Sequence, residues 1–109
     1  MLALGARGGI TASAHLATDR FAQLVSAWHQ GDVDTARPLG HALARVAAAL
    51  FAEPNPTVLK GVLHAQGRIP TPDVRLPLLP AGEESVAGAI ELAPAFPPPA
   101  PPIGPTAAA

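Results

Sequence analysis

Residues 8–31 read GGITASAHLATDRFAQLVSAWHQG, and the hydrophobic pattern changes character part-way along. Gly8–Ser13 is short, bounded by glycines, and carries the β-branched pair Ile10 and Thr11. Those features predict a strand. Beyond Thr18, which can cap a helix, Phe21, Leu24, Val25 and Trp28 recur at i, i+3, i+4 and i+7. Such spacing places them in one stripe of an amphipathic helix, and Gly31 supplies a left-handed stop. One strand thus hands over directly to one helix.

Downstream, Asp32 is placed to cap a second helix, in which Ala36, Leu39, Leu43, Val46 and Leu50 alternate in steps of three and four. A stripe of that length predicts a helix packed along its whole course, with Arg37 and Arg45 off the stripe. Pro38 interrupts it, removing a backbone donor, and a kink is expected there because the stripe continues in register. Asn55-Pro56 reads as an N-cap followed by proline at the first helical position. Val58, Leu59, Val62 and Leu63 then face one way, and Gly67 ends the third helix.

The stretch Ile69-Pro70-Thr71-Pro72-Asp73-Val74-Arg75-Leu76-Pro77-Leu78-Leu79-Pro80 holds four prolines, which forbid a helix or a central strand. It reads as an extended connector whose Leu76, Leu78 and Leu79 lie against the helices. Glu83, Glu84 and Ser85 open a weaker last helix with Val86, Ile90 and Ala93. From Pro94 onward, PAFPPPAPPIGPTAAA is low-complexity and reads as a disordered, partly polyproline-II tail.

Composition bounds what such a chain can be. With 109 residues it is at most one small domain. Seven basic and eight acidic side chains nearly cancel, which removes the charge argument for nucleic acid or an anionic membrane. The absence of cysteine excludes disulfides, thiolate catalysis and Cys-based zinc sites. Twenty-four alanines pad the apolar fraction, and Phe21, Phe51, Phe96 and Trp28 are the only aromatics, so the core is thin for an independent domain. The longest apolar run, Val46–Ala52, is far short of the roughly 20 residues that span a bilayer. No basic region precedes the apolar N-terminus as in a signal peptide, so a soluble cytoplasmic protein is expected.

None of the titratable residues assembles a site by spacing. His15, His29, His41 and His64 include no i, i+4 pair and no HExxH, so ordinary surface or half-buried histidines and no metal are expected. Gly5-Ala6-Arg7-Gly8-Gly9 lacks the lysine of a P-loop and the GxGxxG spacing, and reads as a tight turn into the strand. Ser13 has no GxSxG elbow around it. Glu83-Glu84 suits a helix N-terminus better than an acid/base couple. PPPAPP could enter an SH3-like or WW-like groove, but a solvated tail is the simpler reading. Lys60 is the only lysine. A lone lysine in apolar surroundings can act as a Schiff-base nucleophile. With no tyrosine in the chain and no second base nearby, it reads instead as a helix-edge residue snorkelling to solvent.

Several segments, in order, resemble one family. GARGGITASAHLA, GDVDTAR, LFAEPNPTVLKGVLHAQGRI and VRLPLLP together resemble the C-terminal portion of the dihydrodipicolinate synthase (4-hydroxy-tetrahydrodipicolinate synthase) family. Its members are (β/α)8-barrel, pyruvate-dependent Schiff-base lyases and aldolases. The glycine-rich strand entry, the N-P-x-x-x-K helix start and the R-L-P-L-x-P connector occur in family order, over about residues 5–92. One position departs from it: Val58 replaces a second proline common after Asn-Pro.

The resemblance implies a mainly α chain: the last strand and helix of a (β/α)8 TIM barrel, followed by a helical C-terminal domain, as a fragment. Residues 1–31 are then the barrel end, 32–93 the helical domain and 94–109 the tail. Ile10 matches the last-strand isoleucine whose backbone lies beside bound pyruvate, consistent with barrel chemistry at the C-terminal ends of strands. Lys60 matches a lysine of the C-terminal helices, whereas the Schiff-base lysine and catalytic tyrosine are expected upstream of Met1. This chain therefore contributes no catalytic residue, no cofactor and no metal site. The implied whole enzyme is a carbon–oxygen lyase that condenses pyruvate with aspartate semialdehyde towards diaminopimelate and lysine. It is a homo-oligomer, tetrameric in the family. The alternatives are a non-catalytic helical packing or oligomerisation module, or another member of the same aldolase family.

Overall fold

The computed structural model describes residues 1–92; the tail and Ala93 lie outside the described residues. Four α-helices follow a short 3-10 turn at Leu2–Leu4. They are α1 (Ala14–His29), α2 (Val33–Leu50), α3 (Thr57–Ala65) and α4 (Glu83–Leu92). Helix α1 packs on α2, while α4 packs on both α2 and α3.

The mainly helical class is the one expected, but Gly8–Ser13 does not form the strand its residues suggest. Among the described residues there is no strand, so this segment has no neighbour to complete a ladder. Isolated strand sequences gain little without partner hydrogen bonds. Gly8–Thr11 is consequently irregular, and Thr11 O instead accepts from Ala14 N (3.2 Å) as the chain turns into α1.

Helix α1 begins earlier than its stripe indicates. Ser13 occupies the N-cap without a side-chain bond, and Ala17 breaks the helix with φ −141° and ψ 49°. Thr18 does not cap: its hydroxyl donates back to Ala14 O at 2.7 Å. The dihedral break thus falls in α1, whereas α2 runs as one helix through Pro38, where a kink was expected. Two ends behave as their glycines require. Gly31 and Gly67 have φ of 76° and 69°. Asp32 N donates to Ala27 O and Arg68 N to Leu63 O, both at 2.9 Å, closing Schellman motifs after α1 and α3.

The caps of α2 and α3 differ in how they meet expectation. Asp32 accepts from Thr35 N at 3.0 Å, as its place before α2 predicts. Before α3, Pro56 rather than Asn55 is the N-cap, with no side-chain cap bond. The buried Thr57 hydroxyl turns back to donate to Pro54 O at 2.8 Å.

The core lies where α2, α3 and α4 meet the first turn of α1. Leu16, Ala17, Leu43, Val46, Leu50, Val58, Leu59, Val62 and Ala89 form one buried cluster. Burying each of its larger side chains contributes about 1.5–3 kcal/mol. The α2 stripe is buried at Ala36, Leu43, Val46 and Leu50, with Leu39 half-buried against the cluster. The α1 stripe is only half covered: Phe21, Leu24, Val25 and Trp28 all retain exposure. Leu76 and Leu79 in the connector are 84% and 70% exposed, so they do not lie on the helices as expected. Leu78 alone of the three is half-buried.

Candidate functional site

The site position suggested by resemblance, Ile10, lies on the irregular run before α1 and is fully exposed. Among the described residues, the N–H groups of Gly8, Gly9 and Ile10 make no backbone hydrogen bond. The nearby Ser13 is 1% exposed, and its Oγ finds no partner among the described residues.

Lys60 occupies a different place. It sits in α3, half-buried, and its Nζ donates to the backbone carbonyl of Asp73 in the connector. The amine is tied across the fold rather than snorkelling freely to solvent. One turn on, His64 Nδ1 lies 3.3 Å from Ile69 O, so both side chains reach the same connector. Sequence spacing missed this pairing. The available signal was the i, i+4 separation of the two residues on α3, followed by a segment short of backbone donors.

The remaining candidates stay apart. His15, His29, His41 and His64 are each exposed and come from α1, α2 and α3. Among the described residues, no group of three or more histidine and carboxylate side chains could hold a metal ion. Glu83 and Glu84 stand in the first turn of α4, suited to its dipole. The Asp32 carboxyl is held below its usual range by hydrogen bonds from Thr35, side chain and backbone, against a small desolvation. Open grooves flank the helices. One, of about 670 Å3, runs between α1 and α2 beside Trp28, Arg37 and His41. Another, of about 450 Å3, lies among α3, the connector and α4.

The helical arrangement has close counterparts among solved structures. A dihydrodipicolinate synthase from Thermotoga maritima superposes with a TM-score of 0.79 at 30% identity, covering 84% of this chain and 30% of that one. The dihydrodipicolinate synthase of Bacillus anthracis gives 0.78 at 31% identity, covering 88% and 32%. These neighbours are TIM-barrel enzymes matched over part of their length, so the chain corresponds to part of such an enzyme.

Sequence comparison agrees. The model of the dihydrodipicolinate synthetase family matches residues 1–92, and the chain belongs to that family. The 4-hydroxy-tetrahydrodipicolinate synthase 2 of Clostridium acetobutylicum is 39% identical over 82 residues, which is 75% of this chain and 29% of that protein. The 4-hydroxy-tetrahydrodipicolinate synthase of Limosilactobacillus reuteri is 41% identical over 81 residues, 74% and 26% respectively. The chain spans less than a third of the length of these relatives.

Proposed function

We propose that residues 1–92 serve as the C-terminal part of a pyruvate-dependent Schiff-base lyase, a 4-hydroxy-tetrahydrodipicolinate synthase. In this reading residues 1–31 complete a (β/α)8 barrel, with Gly8–Ser13 as its last strand, and residues 32–93 pack on it as a helical domain. The backbone at Ile10 then lies beside pyruvate. The observation that carries the reading is the family match along residues 1–92, with relatives of that activity at 39–41% identity. The exposed Ile10 and, among the described residues, the N–H groups of Gly8, Gly9 and Ile10 without a backbone partner support it, because a barrel strand has such groups to pair once its neighbours are present.

The chemistry proposed for the whole enzyme begins with an amine attacking the ketone of pyruvate. Water leaves, an imine forms, and its enamine adds to the aldehyde carbon of aspartate semialdehyde. That sequence needs an amine nucleophile and a phenol to move protons. The chain has no tyrosine, and its one lysine, Lys60, is bound to the Asp73 carbonyl. The isolated chain is therefore inactive. The assembled enzyme is a cytoplasmic homo-oligomer.

A chimera tests the reading. Residues 1–92 replace the matching segment of the Thermotoga maritima relative, and condensation of pyruvate with aspartate semialdehyde is measured. Retained activity, together with no borohydride-stable pyruvate adduct on the isolated chain, is the expected result. A folded chimera that consumes pyruvate only with a different aldehyde would assign another aldolase specificity, and a trapped adduct on Lys60 would overturn the inactive state of the isolated chain.

A further inference from the structure

The connector between α3 and α4 poses a hydrogen-bonding problem. Pro70, Pro72, Pro77 and Pro80 have no N–H, so this segment cannot be held by a backbone ladder. Leu78 N to Arg75 O, at 3.0 Å, is the backbone bond formed within it among the described residues. What ties the segment down comes from side chains on neighbouring elements. Lys60 Nζ donates to Asp73 O, and His64 Nδ1 pairs with Ile69 O at 3.3 Å. Beyond Pro80, Gly82 N donates to Glu53 Oε1 at 2.9 Å and fixes the far end.

Lys60 and His64 are one helical turn apart, so they point from the same side of α3. The carbonyls they meet, at Asp73 and Ile69, are also four residues apart. The connector they hold forms one wall of the roughly 450 Å3 cleft, through Pro72, Pro80 and Ala81. Gly61 and His64 of α3, with Val86 and Ile90 of α4, form the others.

We propose that Lys60 and His64 form a clasp that holds the connector as a strap over the cleft between α3 and α4, with the Lys60 amine as its release point. Lysine is the stronger half because it brings a full charge to a carbonyl acceptor. Losing that donor frees Asp73 O to take water and lets the strap lift, while the packed helices stay folded. This role is independent of the catalytic reading above, since it rests on the contacts within residues 53–90 alone.

The test uses the full chain and an arginine-specific protease, which ignores changes at position 60 to a non-arginine residue. Arg75 and Leu76 are exposed in the held strap, but a protease must draw several residues on either side of the bond into its own cleft, so cleavage after Arg75 tracks the population of lifted connector when opening and closing are fast. Cleavage after Arg45, in the middle of α2, tracks global unfolding. Lys60→Met is expected to raise the rate after Arg75 about tenfold, the order of one charge-assisted hydrogen bond. The rate after Arg45 stays unchanged, and Lys60→Arg, which keeps a cationic donor but adds its own cleavage site on α3, returns the initial rate of cutting after Arg75, scored separately by fragment mass, to that of the parent. An unchanged rate at Arg75 in Lys60→Met, or a parallel rise at Arg45, overturns the clasp.

Discussion

Asp32 shows how a single side chain can end one element and begin another. Its N–H closes the Schellman motif of α1 on Ala27 O, while its carboxylate accepts from Thr35 N and starts α2. Hydrogen bonds from the Thr35 side chain and then the Thr35 N–H lower its pKa from the usual 3.8. A carboxylate lowered in the folded state stabilises that state above its unfolded pKa and loses the contribution as pH falls through the folded one. Asp32→Ala is therefore expected to lower the melting temperature at neutral pH, with the gap to the parent narrowing as the pH is taken below 3.8. Melts followed by circular dichroism across that range check it. The residue's capping role was legible because Asp32 stands immediately before the helical segment, where its side-chain oxygen can take an otherwise unpaired N–H. Thr18 has the same chemistry, yet the break at Ala17 leaves its hydroxyl facing Ala14 O instead.

Between elements, the closest fit is that of α3 against α4. A methyl group at Gly61 would stand 2.5 Å from Val86 Cγ2, nearer than carbon atoms approach. Gly61→Ala is expected to cost about 1–3 kcal/mol, the usual range for overpacking. Urea denaturation measures it, and Gly61→Ala with Val86→Ala should recover part of the loss by clearing the methyl. A sequence reader sees Gly61 only as a weak helix residue, since the requirement comes from a helix that arrives some twenty residues later. The connector shows the same limit. Its prolines announced an extended segment without helix or central strand; it forms neither, but it turns at Leu76-Pro77, where Leu78 N donates to Arg75 O. That Leu76 and Leu79 face outward, and that Lys60 and His64 hold the chain beside them, depends on where α4 leads the backbone.

Across the molecule, one contiguous cluster joins residues from all four helices. Leu50 lies within it at 1% exposure. Leu50→Ala is expected to cost about 2–5 kcal/mol, a large share of the 5–15 kcal/mol that typically separates folded from unfolded domains. Because the cluster is continuous, that loss should appear as one cooperative shift in urea, read alike by far-ultraviolet circular dichroism and Trp28 fluorescence. Separate transitions for the two probes would contradict a single core.

The helical stripes, the glycine stops at Gly31 and Gly67, the Asp32 cap and the proline-bound connector were determined by the sequence itself, because each rests on interactions within a few residues. Family membership was legible too, through motifs that stand in family order along residues 5–92. Tertiary structure alone decided the rest. Gly8–Ser13 has the residues of a strand, but among the described residues no second strand lies beside it, so it stays irregular and Ile10 stands in the open. A strand is completed by its neighbours, whereas a helix satisfies its own backbone, and that difference separates what could be read from what had to be seen.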